Sequence, residues 1–266
     1  MGYLQIHAEI LWPALLAGLL VLSTHVPLGR EVLLRGIIFL DLAIAQTAAF
    51  GVMLANTLWV NRHGDHHHFS TTIIAVVAAI AGSVILYTIR KLEVRVQEAF
   101  IGILFVLMAT GIILILSADP HGGERLKEIL AGQILWLQAS DLLQLFFVYV
   151  VILILWFLSQ EKIGEWLFYP FFAVTITLST QVVGVYLVFA SLIIPSFCTL
   201  YQKKPLIKSY LIGITGYMIG LIVSASLNLP AGATIVWCLA AIGCLYFLFT
   251  GGLIMRKTNT NKRKEH

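Results

Sequence analysis

The sequence predicts an all-α polytopic membrane protein, with eight or nine transmembrane helices in a single domain. Of its 266 residues, 59% are apolar and 11% are charged, whereas soluble domains carry about 45–50% apolar and roughly 25% charged residues. Apolar runs near the ~20 residues that a spanning helix needs recur along the chain. Because only short connections remain between these runs, the composition excludes a soluble catalytic domain.

Nine apolar segments follow one another in the chain. They cover residues 10–25, 36–60, 71–89, 98–118, 142–158, 167–183, 185–201, 208–227 and 232–254. The first has no Lys or Arg before it, so we expect a retained helix rather than a signal peptide. The sixth and seventh meet at Gly184 and form either two spans or one bent span. We therefore predict one transmembrane domain over 1–255 and a basic tail over 256–266.

Lysine and arginine are distributed unevenly between the two sides of this topology. With an external N-terminus and alternating segments, fourteen lie inside: Arg30, Arg35, Arg90, Lys91, Arg95, Lys162, Lys203, Lys204, Lys208, Arg256, Lys257, Lys262, Arg263 and Lys264. Three lie outside: Arg62, Arg125 and Lys127. Since these residues favour the cytoplasmic side, the asymmetry favours nine passes and a cytoplasmic C-terminus. The tail is then a topology anchor, and no nucleic-acid partner is expected.

Motifs for nucleotide hydrolysis and for thiolate chemistry are missing from the sequence. No G-x-x-x-x-G-K-[ST] phosphate loop occurs, so the chain has no ATPase site of that kind. Cys198, Cys238 and Cys244 lie within apolar runs without a CxxC pair, which argues against a disulfide framework or a thiolate zinc site. Energy for transport must come from an ion gradient or from another subunit.

A histidine-rich loop follows the second segment and contains His63, Asp65, His66, His67 and His68. Imidazoles and a carboxylate suit zinc and its first-row neighbours, so the loop predicts a metal-handling site at the outer rim. The alternative is a solvated polar loop, because adjacent histidines cannot all reach one tetrahedral centre.

Polar side chains interrupt the second segment at Asp41, Gln46 and Thr47. Ionisable groups within a hydrocarbon span are costly, so each is a candidate for a transport pathway. Asp41 and Gln46 lie about 140° apart on a straight helix and share a face poorly. The alternative for Asp41 is an ion pair with a basic residue near the inner surface.

Several stretches resemble the membrane permeases of the zinc and manganese class of ABC importers, which are distant relatives of the cobalamin and siderophore permeases. They are VTITLSTQVVGVYLVFASLIIPSFC at 174–198, LNLPAGATIV at 227–236, EAFIGILF at 98–105 and GQILWLQASDL at 132–142. The resemblance implies a homodimeric permease of cobalamin-permease-like architecture in a prokaryotic inner membrane. It also implies a separate ATP-binding cassette ATPase subunit, an extracytoplasmic metal-binding protein and no permanently bound cofactor.

The resemblance assigns a role to the loop LSQEKIGEWLF at 158–168. In such importers this loop forms a coupling helix that sits in a groove of the ATPase. The residues implied here are Gln160, Glu161, Lys162, Ile163, Gly164, Glu165 and Trp166. Without the resemblance, a plain connection between helices is the simpler interpretation.

The second segment departs from the pattern of the family. The family has an Asp-x-x-x-His pair there as implied metal ligands, and the alignment places Leu42 and Gln46 at those positions. An amide is a weaker zinc ligand than imidazole. We therefore expect an importer for zinc or manganese, with two alternatives: a self-sufficient cation transporter or channel using Asp41, and an ABC permease for a metal chelate or small organic nutrient.

Overall fold

The computed structural model describes residues 2–57, 68–132, 134–137, 139–159 and 165–262. Within these ranges the regular structure is helical, which confirms the predicted all-α class. The helices are α1 (Gly2–Arg35), α2 (Leu40–Ala55), α3 (His68–Thr88), α4 (Val94–Leu116), α5 (Gly122–Ala131), α6 (Ala139–Ser159), α7 (Glu165–Val183), α8 (Val185–Thr199), α9 (Pro205–Leu227) and α10 (Ala231–Lys262), with a 3-10 turn at Ile134–Trp136.

The first helix extends to Arg35, ten residues beyond the predicted apolar run. The Arg35 guanidinium lies 3.5 Å from the Glu31 carboxylate one turn earlier, which supports this last stretch. Gly36 then adopts a φ of +74°, and the Ile37 N–H donates to the Val32 carbonyl at 3.2 Å. This Schellman ending needs a residue that tolerates a left-handed backbone. It delays the start of α2 to Leu40, so the second segment is shorter than predicted.

Helices α1 to α4 and α6 to α10 alternate in direction along the bundle, while the short α5 lies at one end. Close contacts of glycines fix the directions of the neighbouring pairs: Gly18 on Tyr217 and Gly213 on Leu22 for α1 and α9, Gly51 on Ala78 and Gly82 on Thr47 for α2 and α3, and Gly216 on Leu239 and Gly220 on Ile235 for α9 and α10. These three pairs are therefore antiparallel, as the alternating order predicted from the sequence requires of them.

The two ends of the bundle differ in chemistry. At one end, which we call the basic end, the helix termini carry Arg35, Arg90, Lys91, Arg95, Lys203 and Lys204. The Arg35 guanidinium stacks there on the Phe168 ring, 4.3 Å from its centroid. At the other end, the glycine end, Gly132, Gly184 and Gly232 bring three backbone segments together. Arg125 and Lys127 belong to α5, which reaches the glycine end at Gly132.

Four helical stretches in the described part of the chain are long and apolar enough to cross a membrane: Leu11–Arg35, Val94–Leu116, Pro205–Leu227 and Ala231–Thr250. Helices α7 and α8 turn through 120° at Gly184, which is the geometry of a broken span or of a re-entrant loop. Three shorter apolar helices are Leu40–Ala55, Thr72–Thr88 and Leu145–Leu155. The choice between eight and nine passes stays a prediction.

Polar side chains inside the bundle are mostly paired. The Tyr217 and Ser191 hydroxyls lie 2.8 Å apart, and Tyr149 hydrogen-bonds to Ser179. The His25 Nδ1 lies 2.8 Å from the Val21 carbonyl oxygen of its own helix. An unpaired polar group away from water is costly. Buried groups without a partner, such as the Thr177 hydroxyl, are therefore candidates for a functional role.

Candidate functional site

A recess of about 440 Å³ lies between α2, α3, α5, α7 and α8, and we call it the α2–α7 pocket. Its position follows from its lining, which includes Gly132 and Val185 at the glycine end. The lining residues are Ala45, Ala48, Ala49, Val52, Met53, Ala75, Glu128, Ile129, Gly132, Thr177, Thr180, Gln181 and Val185. Pockets of roughly 300–1,000 Å³ with a few placed polar groups are typical of sites for small ligands.

Helix α7 supplies a polar stripe to this pocket. Thr177, Thr180 and Gln181 are three and four residues apart, so they fall on one face of the helix. The Thr180 hydroxyl donates to the Thr177 carbonyl at 2.9 Å, and the Thr72 hydroxyl of α3 donates to the Gln181 side-chain oxygen at 3.2 Å. Thr177 is fully buried, yet its hydroxyl has no hydrogen-bond partner. That hydroxyl lies in the wall of the pocket with its hydrogen-bonding capacity unused.

Helix α2 presents small residues to the pocket, and Asp41 lies below them. Ala45, Ala48 and Val52 line the pocket at helical spacing, and Asp41 precedes Ala45 by four residues, about 6 Å along the same face towards the basic end. Asp41 is 1% exposed, and no other side chain in the described part of the chain donates a hydrogen bond to its carboxylate.

The expected alternative for Asp41, an ion pair with a nearby basic residue, is not what the structure shows. The closest arginine in sequence, Arg35, lies instead against Glu31 and the Phe168 ring. Asp41 stands in the first turn of α2, where the unpaired backbone N–H groups of a helix N-terminus favour a negative group. A lone carboxyl therefore sits between the basic end and the pocket.

Gln46 and Thr47 lie on other faces of α2. Gln46 is 3% exposed and does not line the pocket. Thr47 donates its hydroxyl to the Ala43 carbonyl at 2.7 Å, and its methyl group packs where a side chain on Gly82 would be. The structure thus places the three predicted pathway residues on three sides of the helix, and their roles in transport stay predictions.

The predicted metal-handling loop lies largely outside the described residues. This applies to His63, Asp65, His66 and His67, while His68 begins α3. Among the residues that the structure describes, no three His, Cys, Asp or Glu side chains come together in a way that holds a metal ion.

The predicted coupling loop is likewise covered only at its end. Gln160, Glu161, Lys162, Ile163 and Gly164 lie outside the described ranges, whereas Glu165 and Trp166 begin α7. The next residues are held firmly at the basic end: Phe168 beneath Arg35, and Tyr169 edge-to-face with Tyr87 at 5.7 Å. A movement of the loop would reach α1 and α3 through these contacts.

Sequence analysis missed the residues that line the pocket with oxygen atoms, namely Glu128, Thr177, Thr180 and Gln181. A signal was present in TITLSTQ, where hydroxyl and amide side chains recur at helical spacing within an otherwise apolar run. Glu128 was not identifiable in this way, because α5 is amphipathic and its charged residues are typical of a solvent-exposed helix face.

A bundle of apolar helices, with a polar recess between them and basic residues at one end, is the architecture of a polytopic membrane protein. The chain belongs to the ABC 3 transport family, whose sequence profile matches residues 7–250. The stretches quoted above as a resemblance lie within this range, so the predicted family is confirmed.

One curated protein and two solved structures are similar to this chain. An uncharacterised membrane protein encoded in the ycf23–apcF intergenic region of Cyanophora paradoxa is 27% identical over 214 residues, which are 71% of this chain and 70% of that protein. The fold is similar to that of PsaBC from Streptococcus pneumoniae in complex with Fab, with a TM-score of 0.69 and 24% identity over 90% of this chain and 91% of that one. It is also similar to an inward-facing metal-chelate type ABC transporter, with a TM-score of 0.62 and 17% identity over 92% and 87% of the two chains.

Proposed function

We propose that this chain is the membrane-spanning subunit of an ATP-driven importer for divalent metal ions, zinc or manganese. It works as a homodimer with a separate ATP-binding cassette ATPase and an extracytoplasmic metal-binding protein. The observation that carries the proposal is the family match over residues 7–250. The polar α2–α7 pocket, with Asp41 below it, supports a pathway through the bundle.

The basic end is the cytoplasmic side in this proposal. It gathers Arg35, Arg90, Lys91, Lys203 and Lys204, the kind of residues that remain inside during membrane insertion. The C-terminal helix α10 runs antiparallel to α9 and so ends on the same side. The glycine end then faces outward, where the binding protein would deliver the metal to the α2–α7 pocket.

Transport would proceed by alternating access between outward-open and inward-open arrangements. The ATPase shifts this equilibrium only if it interacts differently with the two states. The loop at 160–166 is the proposed contact, because α7 continues from it past Phe168 at the basic end to Thr177 in the pocket. A displacement of α7 at one end would therefore change the pocket at the other.

Accumulation of radioactive manganese and zinc in cells tests the cargo. Deleting this chain should lower accumulation of one of these metals at scarce supply, and the unaltered chain should restore it. A deletion strain that accumulates both metals normally, under conditions where the chain is expressed, would contradict the proposal.

The rival function is a self-sufficient cation transporter or channel with Asp41 as its coupling carboxyl. The burial of Asp41 without a hydrogen bond from another described side chain favours this rival, because such groups in transporters often bind a proton or cation. It predicts that the purified chain alone moves cations into liposomes under an ion gradient. The importer proposal predicts no movement unless the ATPase is present.

A further inference from the structure

The proposed function leaves open how a pathway without the aspartate and histidine pair of its relatives binds a metal. Helix α2 presents only apolar residues to the α2–α7 pocket, and the polar groups of the pocket come from α5 and α7. Its ligand-capable side chains are Glu128, Thr177, Thr180 and Gln181, one carboxylate with hydroxyl and amide oxygens. Neither histidine nor cysteine lines it, although these are the residues that zinc prefers.

The size of the pocket indicates what form of metal it holds. An ion with six waters occupies on the order of 200 Å³, taking about 30 Å³ for each molecule of water. This fits within about 440 Å³ with room to spare. A bare ion would need four to six protein ligands within about 2.5 Å, while the polar groups here are spread over α5 and α7 around a much larger space.

The alanine-rich wall opposite α7 also favours an ion that keeps its coordination shell over a bare ion. Ala45, Ala48 and Ala49 of α2 and Ala75 of α3 offer no ligand atoms and leave the space open. The polar groups of the pocket all lie on the wall formed by α5 and α7. There the Thr177 hydroxyl, which has no hydrogen-bond partner, and the Gln181 amide suit hydrogen bonds to a coordination shell rather than bonds to the metal itself.

Resting on the proposed function, we infer that the α2–α7 pocket binds a hard divalent cation of the manganese type with its coordination shell retained. Thr177, Thr180 and Gln181 hydrogen-bond to the shell, and Glu128 offsets the charge. The oxygens of the shell belong to water, whose outward O–H groups donate to the hydroxyl, amide and carboxylate oxygens of the pocket. Hard cations keep such oxygen shells far more readily than zinc in a nitrogen or sulfur site.

An exchange-inert mimic of a hydrated ion gives the most direct test. Hexaamminecobalt(III) has a fixed shell of ammonia ligands, so it fits a site that binds the shell and cannot enter one that binds the metal directly. The importer is isolated from its own cells through a tag on this chain and reconstituted in liposomes. We expect this complex ion to inhibit manganese uptake by the unaltered importer, and failure to inhibit would overturn the inference.

A pair of threonine variants on the same helix supplies the second test. Thr177→Val removes the unpartnered hydroxyl and keeps the shape of the side chain, and should weaken manganese affinity about tenfold. Thr175→Val is the control, because the Thr175 hydroxyl already donates to the Phe171 carbonyl at 2.8 Å and does not line the pocket. Equal affinity in the two variants would overturn the inference.

Two cargo forms separate the sources of the shell. Uptake of manganese chloride alone, reduced in Thr177→Val, is the expected result; uptake only with added citrate, whose carboxylates accept rather than donate hydrogen bonds, would overturn the inference. If the importer moves manganese but hexaamminecobalt(III) and Thr177→Val have no effect, this inference fails while the proposed function stands. If it moves zinc but no manganese, this inference fails while the proposed function stands; if it moves neither metal, both fail.

Discussion

At the glycine end, three backbone segments approach one another so closely that a side chain at Gly184 should destabilise the fold. The φ of +82° and ψ of 160° of Gly184 lie in a region that essentially only glycine adopts, and a side chain there costs about 1–3 kcal/mol. A Cβ atom there would lie 2.3 Å from the Gly132 nitrogen and 2.6 Å from the Ala131 carbonyl carbon. Ordinary contacts between heavy atoms are about 3.5–4.0 Å, so two backbone segments would have to separate by roughly 1 Å.

Gly184→Ala should therefore lower the free energy of unfolding by about 2–5 kcal/mol, adding overpacking to backbone strain. For a chain of this size the unfolding temperature should fall by roughly 5–15 °C. The purified protein in detergent, followed by intrinsic fluorescence on heating, gives this value. Gly132→Ala should act similarly, and the double variant should show less than the sum because one displacement relieves both contacts.

Gly123→Ala is the matched control, because it lies in α5 near the same end and a Cβ atom there meets nothing within 4 Å. It should leave stability unchanged or raise it by up to about 1 kcal/mol, since alanine favours the helix over glycine. If Gly184→Ala unfolds at the same temperature as Gly123→Ala, the close approach of α5 to the α7–α8 corner is refuted.

Four further predictions concern transport by the complete importer. Asp41→Asn should lower metal uptake at least tenfold while leaving protein yield unchanged, and uptake at the unaltered rate would remove Asp41 from the pathway. Gln46→Leu should lower metal-dependent uptake severalfold, with Thr175→Val as a control that loses only a hydrogen bond within its own helix; equal uptake in both would exclude Gln46. Replacing the histidines of 63–68 by serine should reduce uptake mainly at scarce metal, and no change there would indicate a plain solvated loop. Replacing residues 160–166 by a Gly/Ser linker should release the ATPase from the purified complex, and retained ATPase would show that it docks elsewhere.

The sequence alone predicts the helical bundle, because hydrophobic runs and the Lys and Arg distribution depend on local composition. The helix boundaries were less accurate at the basic end. Apolar content indicated an end near residue 25 for α1, but the helix continues to Arg35 through a stretch with charged residues on its surface. The Gly36 turn then delays α2, and that effect depends on one backbone conformation rather than on hydropathy.

The site was harder to predict because it is assembled from distant parts of the chain. Asp41 was identifiable, since a carboxylate in an apolar run is conspicuous whatever its neighbours are. Thr177 and Gln181 become significant only because α5 and the 120° corner at Gly184 enclose them against α2. Thr47 is the opposite case, because it is conspicuous in the sequence but satisfied in the structure. Its hydroxyl donates to the Ala43 carbonyl and its methyl group packs against Gly82, and hydrophobic periodicity indicates neither contact.

In the proposed function, this membrane chain cannot transport metal without a nucleotide-hydrolysing partner at its basic end. Manganese and zinc uptake into liposomes, compared for the chain alone, the chain with its ATPase, and the complex with non-hydrolysable ATP, measures this directly. We predict uptake only in the second case, and only when hydrolysable ATP is on the side of the basic end. Gradient-driven uptake by the chain alone would contradict the account.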